Sequence, residues 1–254
     1  MLSTVQHPVL GRLVPDQWNR GLLTFRQFPH MRMFWHPDPE KTIARLSVEQ
    51  RRWVTGWDRH AAELSPICRN FDVLAALQSL GVYEVSIGVP RTGELSAPQV
   101  AAYQWFLDHE EAVCGNVIGA LLRYYRHMRQ VAPDWFRDDD YPNGHTVEEL
   151  APLLRFDGIG ISRRSSHGLS VITMGWDPDW DPEHGLGTTL YRDQVLEIGQ
   201  SAETVLLLDP EEYLTGGYSL WGPNQLNDAE QAVLQEFVEG YEYREGESVR
   251  DDHT

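Results

Sequence analysis

The chain has 254 residues, of which 41% are hydrophobic and 11% aromatic, and its formal net charge at pH 7 is -17. That length is sufficient for a large core, and the apolar content excludes an intrinsically disordered chain despite the charge. No uninterrupted apolar run reaches the roughly 18 residues of a membrane-spanning helix, and the first residues lack the basic and apolar regions of a secretory signal. We therefore expect a cytoplasmic protein without a membrane partner.

The negative charge is concentrated in the second part of the chain. Residues 1–137 carry 15 basic and 13 acidic side chains, whereas residues 138–254 carry 6 basic and 25 acidic ones, a net charge of -19. A surface of this sign repels nucleic acid and attracts basic proteins and cations. The same negative charge can equally have no role beyond keeping the protein soluble. A basic protein is thus the expected partner class, and nucleic acid is not expected to bind.

Short strands are predicted for the first 36 residues, where the apolar runs VLGRLV, GLLTFRQF and MRMFWH are separated by turn-forming residues. Ser47, with Gln50 three residues later, predicts the start of a helix whose apolar stripe continues to Pro66. A second short helix is predicted for NFDVLAALQSLG, and the alternating run VYEVSIGV predicts the strand that follows it.

The longest predicted helix covers residues 97–129. Ser96 precedes it as a capping residue, Gln99 stands three positions later, and apolar side chains recur every three or four residues thereafter. Cys114 falls on that apolar stripe, and Cys68 belongs to no C-x-x-C pattern. Both cysteines are therefore predicted to be reduced, buried thiols.

Four strand-like runs and two helices are predicted for residues 138–240. The short helix TVEELAPLL begins at Thr146, and the runs GIGISRR, LSVITMGW, LGTTLYR and VLEIGQ follow, with hairpin-length links in the first and last pairs. Asn227 caps a final helix, and residues 241–254 are expected to be disordered. These elements predict an α+β fold in which antiparallel strands pack on a long central helix and end in a four-stranded meander, with residues 1–137 and 138–240 forming one globular unit.

An acidic, aromatic stretch joins two of these strands: WDPDWDPEHGLG, residues 176–187, contains two Trp-Asp-Pro tripeptides. Asp-Pro favours a turn, because the aspartate side chain accepts a backbone N–H two residues on and the proline fixes φ. Two such turns predict a stiff loop, and a stiff loop loses little entropy when it binds a partner. The candidate partner-binding residues are Trp176, Asp177, Asp179, Trp180, Asp181, Glu183 and His184.

The same loop admits an alternative function as a metal site. Carboxylates alternate from Asp177 to Glu183, so an extended backbone would place their oxygens on one side, as a hard cation requires. The EF-hand pattern fails, because Pro182 stands where that loop needs glycine. A metal-assisted hydrolase or metal-binding enzyme that uses Asp177, Asp179, Asp181, Glu183 and His184 is therefore the alternative, whereas the favoured function includes no metal and no cofactor.

Three segments together carry a resemblance to a known family. They are a Gln-headed helix that ends in paired tyrosines (LSAPQVAAYQWFLDHEEAV and LLRYY), the motif Trp-Asp-x-Glu-His-Gly-x-Gly at residues 180–187, and the strand VLEIGQSAET. In these features, residues 95–208 resemble a bacterial family of uncharacterised domains. Some relatives look like cytoplasmic partner-binding or immunity-type proteins of bacterial toxin systems, so the resemblance implies a binding role.

The sequence favours a non-catalytic binding protein, with an immunity-like or antitoxin-like partner of a basic protein as the form that the resemblance suggests. No H-E-x-x-H, G-x-S-x-G or P-loop pattern occurs, so no catalytic residue is assigned. A scaffold with no defensive role fits the same residues and stays open.

Overall fold

The computed structural model describes residues 3–16, 21–34, 36–67, 70–89, 94–136, 141–200, 213–214, 221 and 223–242. The strands are β1 (Val5–His7), β2 (Gly11–Pro15), β3 (Gly21–Gln27), β4 (Val82–Gly88), β5 (Leu154–Ser166), β6 (Leu169–Pro178), β7 (Leu186–Tyr191), β8 (Gln194–Gly199) and β9 (Tyr241–Glu242). The α-helices are α1 (Pro39–Arg45), α2 (Val48–Thr55), α3 (Ala61–Leu64), α4 (Phe71–Ser79), α5 (Ala97–Asp108), α6 (Glu110–Val131), α7 (Val147–Leu150) and α8 (Asp228–Glu239). Short 3-10 helices lie at Pro29–Met33, Pro133–Phe136, Ala151–Leu153 and Pro223–Gln225.

The fold is α+β, and one sheet joins the strands in chain order from β1 to β8. Every neighbouring pair is antiparallel except β4 and β5, which are parallel because the connection that contains α5 and α6 returns the chain to the starting end of the sheet. The short β9 pairs with the last residues of β5, beyond the segment that pairs with β4. Strands from both sides of residue 138 thus belong to a single sheet.

Helices α5 and α6 cover one face of this sheet, which we call the first face. Burial of an aliphatic or aromatic side chain contributes about 1.5–3 kcal/mol, so this core dominates the stability of the fold. Alternate residues of the central strands point into it: Val85 and Ile87 on β4, Ile159 and Ile161 on β5, and Ile172, Met174 and Trp176 on β6.

Two separate helical layers cover the ends of the opposite face, which we call the second face. Leu23 and Phe25 pack on α2, α3 and α4 at one end, and Val171 and Leu196 pack on α8 at the other. Between these layers, second-face residues of β4, β5 and β6 are partly exposed: Glu84, Ser86, Gly160, Thr173 and Gly175.

The helix starts that the sequence predicts are confirmed by capping boxes. Ser47 caps α2 and exchanges hydrogen bonds with Gln50, and Asn227 does the same with Glu230 at α8. Ser96 caps α5 in the same way with Gln99. In each case the side chains satisfy backbone N–H groups that the first helical turn leaves without a partner.

The single long helix predicted for residues 97–129 is wrong, because the chain breaks into α5 and α6 at His109. The backbone of His109 leaves the helical region, with φ -126° and ψ 18°. Its Nδ1 lies 2.8 Å from the Trp105 carbonyl oxygen and its ring stacks on the Trp105 indole, so the side chain replaces the next helical hydrogen bond. Apolar spacing continues through the break and therefore does not reveal it.

Three further expectations differ from the structure. The helix predicted from Ser47 to Pro66 ends at Thr55, where Gly56 follows as the C-terminal cap. The strand predicted for MRMFWH overlaps a 3-10 helix that begins at Pro29, because proline fixes φ near the helical value and cannot donate to a sheet. Tyr241–Glu242, which we expected to be disordered, pair with β5, and the rest of the expected tail lies outside the described residues.

Cys114 is a buried thiol on α6, as its place on the apolar stripe predicts. Burial raises the pKa of this thiol to about 12, so it is not a nucleophile at neutral pH. Cys68 lies outside the described residues. Among the helices in the described ranges, none combines the length and the apolar composition that crossing a bilayer demands.

Candidate functional site

The acidic loop lies between β6 and β7, and backbone hydrogen bonds hold its turns. The N–H of Asp181 donates to the Pro178 carbonyl, and the N–H of Gly185 donates to the Asp181 carbonyl, both at 3.2 Å. Gly185 has φ 65°, a value that glycine adopts without strain. The N–H of Asp179 donates to the Leu153 carbonyl at 2.9 Å, which fixes the loop to the chain that precedes β5.

Both tryptophans of the loop are core residues. Trp176 is 1% exposed, and its indole Nε1 donates to the Thr188 hydroxyl at 3.3 Å. Trp180 is 7% exposed and packs edge-on against Tyr125 and at a tilt against Phe136. The tryptophans therefore anchor the loop to the core. Because they are buried, a partner could not contact them.

Asp181 anchors the loop through its side chain. Its carboxylate lies 2.7 Å from His184 Nδ1 and accepts from Gln200 Nε2 at 2.9 Å. The Asp181 side chain is 11% exposed, so its oxygens already have partners inside the protein. His184 and Glu183 are exposed beside it.

The carboxylates of the loop do not share one side, contrary to the expectation for an extended backbone. β6 ends at Pro178, and the turns that follow direct Asp179 outward and Asp181 inward. Asp177 remains on β6, where its carboxylate accepts from the Arg155 guanidinium. Among the described residues, no group of three or more His, Cys, Asp or Glu side chains is placed to hold a metal ion.

A β-bulge in β5 brings a further carboxylate to this end of the sheet. The register of β5 against β6 skips one residue after Phe156, so Asp157 is an extra residue that faces no partner on β6. Gly158 follows with φ 146°, and a Cβ atom there would lie 2.5 Å from the Glu84 carbonyl oxygen, so only glycine fits.

Three carboxylates and one guanidinium therefore lie together, and we call Asp157, Asp177, Asp179 and Arg155 the acidic cluster. Arg155 Nε lies 3.4 Å from Asp157 Oδ1, and its Nη2 donates to Asp177. Gln78 of α4 donates to Asp157 Oδ1 at 3.0 Å. The acidic cluster thus contains one guanidinium and three carboxylates.

The pKa shifts in the acidic cluster reflect this imbalance. Burial raises the pKa of Asp157, Asp177 raises it further, and Arg155 opposes the rise. Burial and then Asp177 likewise raise the pKa of Asp179. Ionisation of these two carboxyls is therefore costlier here than in an unfolded chain.

Arg155, Asp157 and Gln78 are site residues that the sequence analysis missed. The strand that contains two of them was predicted to begin at Gly158, whereas it begins at Leu154. The sequence contains a signal for these residues in the spacing of its apolar positions. Leu154 and Phe156 are two residues apart, as are Ile159 and Ile161, but Phe156 and Ile159 are three residues apart, across Asp-Gly. Such a shift in spacing indicates a bulge.

The fold and the site define an α+β protein in which one sheet joins the described strands, with an acidic loop packed on aromatic side chains at one end of that sheet. Residues 70–206 match the family model described as "Domain of unknown function (DUF6985)", which covers more than half of the chain. The chain belongs to this family. Comparison with curated proteins finds no match, and comparison with solved structures finds none.

Proposed function

We propose that the protein is a non-catalytic binding protein whose acidic cluster receives a basic protein. The observation that supports this most directly is the excess of carboxylates over guanidinium at Asp157, Asp177 and Asp179. Because Asp177 raises the pKa of the other two, these groups repel one another when ionised. A cationic side chain from a partner would relieve that repulsion and gain Coulomb energy.

The loop presents these groups in a fixed geometry. Asp179 is held through its backbone: its N–H donates to Leu153, and its carbonyl accepts from the Tyr141 hydroxyl at 3.1 Å. Trp180, immediately after it, packs against both Tyr125 and Phe136. A partner therefore meets a surface that needs little further ordering, which favours affinity.

The cellular setting is proposed from the sequence alone. The resemblance of residues 95–208 to bacterial domains, some of them like immunity proteins, supports an immunity-like or antitoxin-like role in the cytoplasm. The net charge of -17 argues against nucleic acid as the partner.

The metal-dependent alternative receives no support from the geometry. Two of its five residues, Asp181 and His184, contact each other, and a third, Asp177, contacts Arg155. A thermal-shift screen with calcium, magnesium, manganese and zinc tests the alternative, because a specific site must stabilise the folded state. We expect an unchanged melting temperature for each ion.

The proposed function is tested by co-expression with the protein encoded beside it. We expect a complex whose association rate falls steeply as salt is added, because the attraction is between exposed charges. The matched variants are Asp179→Asn, in the cluster, and Asp228→Asn, which removes an exposed charge from the first turn of α8. Slower association for the first variant alone supports the proposal, whereas salt-independent association or equal effects of the two variants overturn it.

A further inference from the structure

Glycines are aligned across the centre of the second face. Gly158, Gly175, Gly187 and Gly199 are paired in register on four neighbouring strands, β5 to β8. Glycine within a strand costs roughly 0.5–1 kcal/mol relative to alanine, and it often marks a place where another backbone approaches closely. Where this row is partly exposed, at Gly158, Gly175 and Gly187, it leaves a floor without side chains.

Of Gly158 and Gly175, only Gly158 is required to be glycine by its local structure. Gly158 has a positive φ and the Glu84 carbonyl against it, so the bulge itself requires glycine there. Gly175 has neither constraint. An added Cβ at Gly175 would meet one atom within 4 Å, the Asp157 Cβ at 3.6 Å, which is an ordinary contact. The fold as described gives no reason for the missing side chain at Gly175.

The floor is part of an open trough with the acidic cluster at its end. We call the partly exposed second-face residues Glu84, Ser86, Gly158, Gly160, Thr173 and Gly175 the central trough. Leu23 and Phe25 on one side, and Val171 on the other, are buried under their helical layers. Asp157 stands beside Gly175, and Arg155 and Asp177 form the next pair along β5 and β6, so the trough leads directly into the acidic cluster.

We propose that the central trough receives an extended basic segment of the partner, which deepens and rests on the proposed function. The backbone of that segment lies over Gly175, where no side chain holds it away from the sheet. Its arginine or lysine side chains reach Asp177 and Asp179, which supply the complementary charge. An acidic segment would be repelled by the three carboxylates of the acidic cluster.

The probe for this proposal is a fluorescein-labelled octapeptide of alternating arginine and serine, with a citrulline-for-arginine analogue as its uncharged control. Fluorescence anisotropy at low salt measures binding to the full chain. Gly175→Val places a branched side chain on the floor of the trough, in a strand that favours such residues. Gly115→Ala is the matched control, since Gly115 is exposed on α6 and an added Cβ there meets nothing within 4 Å.

We expect the wild-type protein to bind the arginine peptide about tenfold more tightly than the citrulline analogue. Gly175→Val should weaken binding of the arginine peptide about tenfold. Each tenfold change in Kd corresponds to roughly 1.4 kcal/mol of binding free energy. Gly115→Ala should bind as the wild type does. Thermal unfolding checks that both variants are folded, and Gly175→Ala, with a smaller side chain and a smaller expected loss, replaces the valine variant if that variant does not fold.

The results separate this inference from the proposed function. If Asp179→Asn weakens peptide binding while the Gly175 variants bind as the wild type does, the acidic cluster binds cations but the trough is not the docking surface. If the wild type binds both peptides equally, the trough assignment is overturned. The co-expression experiment then still decides on the proposed function independently.

Discussion

Asp157 shows how one backbone irregularity alters the chemistry of the site. Without the bulge, β5 and β6 would pair residue by residue, and Asp157 would face a residue of β6. At the bulge, Asp157 accepts from Gln78 and its pKa is raised by Asp177, so the residue that faces no partner on β6 is part of the acidic cluster.

Asp157→Asn should stabilise the fold at neutral pH. Because burial and Asp177 raise the pKa of Asp157 above its unfolded value, the carboxyl favours the folded state when protonated, and this contribution is lost as the pH rises through the folded-state pKa. Asparagine keeps the oxygen that accepts from Gln78. The side chain is 39% exposed, so solvent screening limits the gain to the order of 0.5 kcal/mol.

Urea unfolding at several pH values measures this effect. The free energy of unfolding of the variant should exceed that of the wild type at about pH 7.5, and the difference should shrink as the pH falls toward the unfolded pKa of the carboxyl. A variant less stable than the wild type at about pH 7.5 would contradict the electrostatic account of the acidic cluster.

At the scale of elements, Gln99 joins α5 to the parallel strands. It completes the capping box of α5, and its Nε2 also donates to the Gly88 carbonyl at 2.5 Å and lies 3.5 Å from the Ile161 carbonyl oxygen. These carbonyls lie where β4 and β5 end their pairing. A buried amide thus connects the start of α5 to backbone carbonyls of both parallel strands.

Gln99→Ala should destabilise the fold by about 2–3 kcal/mol, because it removes one half of the capping box of α5 and the hydrogen bonds of a buried amide to strand carbonyls. Gln50→Ala is the matched control: Gln50 has the same position in the capping box of α2 but bonds only to the Ser47 backbone among its described contacts. That variant should cost about 0.5–1 kcal/mol. Equal losses in chemical denaturation would show that the contact between α5 and the strands contributes nothing.

The sequence predicts elements where one local rule decides the structure. Capping residues located the starts of α2, α5 and α8, and the hairpin-length links located the turns at His167 and Arg192, both of which have positive φ. It failed where a side chain competes with the backbone, as His109 does at the end of α5. The bulge at Asp157 and the pairing of Arg155 with Asp177 depend on strand register, which no single segment specifies.

The same division holds for the candidate site. The sequence located the loop and its turns, because Asp-Pro and Gly185 act locally. It placed the carboxylates on one side, because alternation assumes an extended chain, and it took both tryptophans as contact residues, although an indole that can reach the core is buried there. The acidic cluster is formed by residues of β5, of β6 and of the loop after β6, and no one of these segments predicts it.

For the whole molecule, two ion pairs connect α8 to other parts of the fold. Arg123 of α6 pairs with Glu230 of α8, whose side chain is 3% exposed. Arg192 in the β7–β8 turn pairs with Glu236 on the same helix, and both of these side chains are about two-fifths exposed (40% and 38%). Both ion pairs involve α8 but differ in burial, so their contributions to stability can be compared directly.

Arg123→Met should destabilise the fold by about 3 kcal/mol, because it leaves the Glu230 carboxylate buried without its cation. Arg192→Met, which breaks the exposed pair, should cost less than about 1 kcal/mol. Denaturant unfolding of both variants, with hydrogen exchange of α8, measures the difference. Similar small losses for the two would indicate that α8 is held by its apolar contacts alone.

The measurement that tests the account most directly is amide chemical-shift mapping of the full chain with the arginine octapeptide at low salt. A basic segment that docks in the central trough and on the acidic cluster should shift resonances of residues 155–160 and 173–179, and added salt should reverse the shifts. Shifts concentrated on α8 or on the exposed ends of α2 and α4, or shifts that the citrulline analogue reproduces, would contradict it.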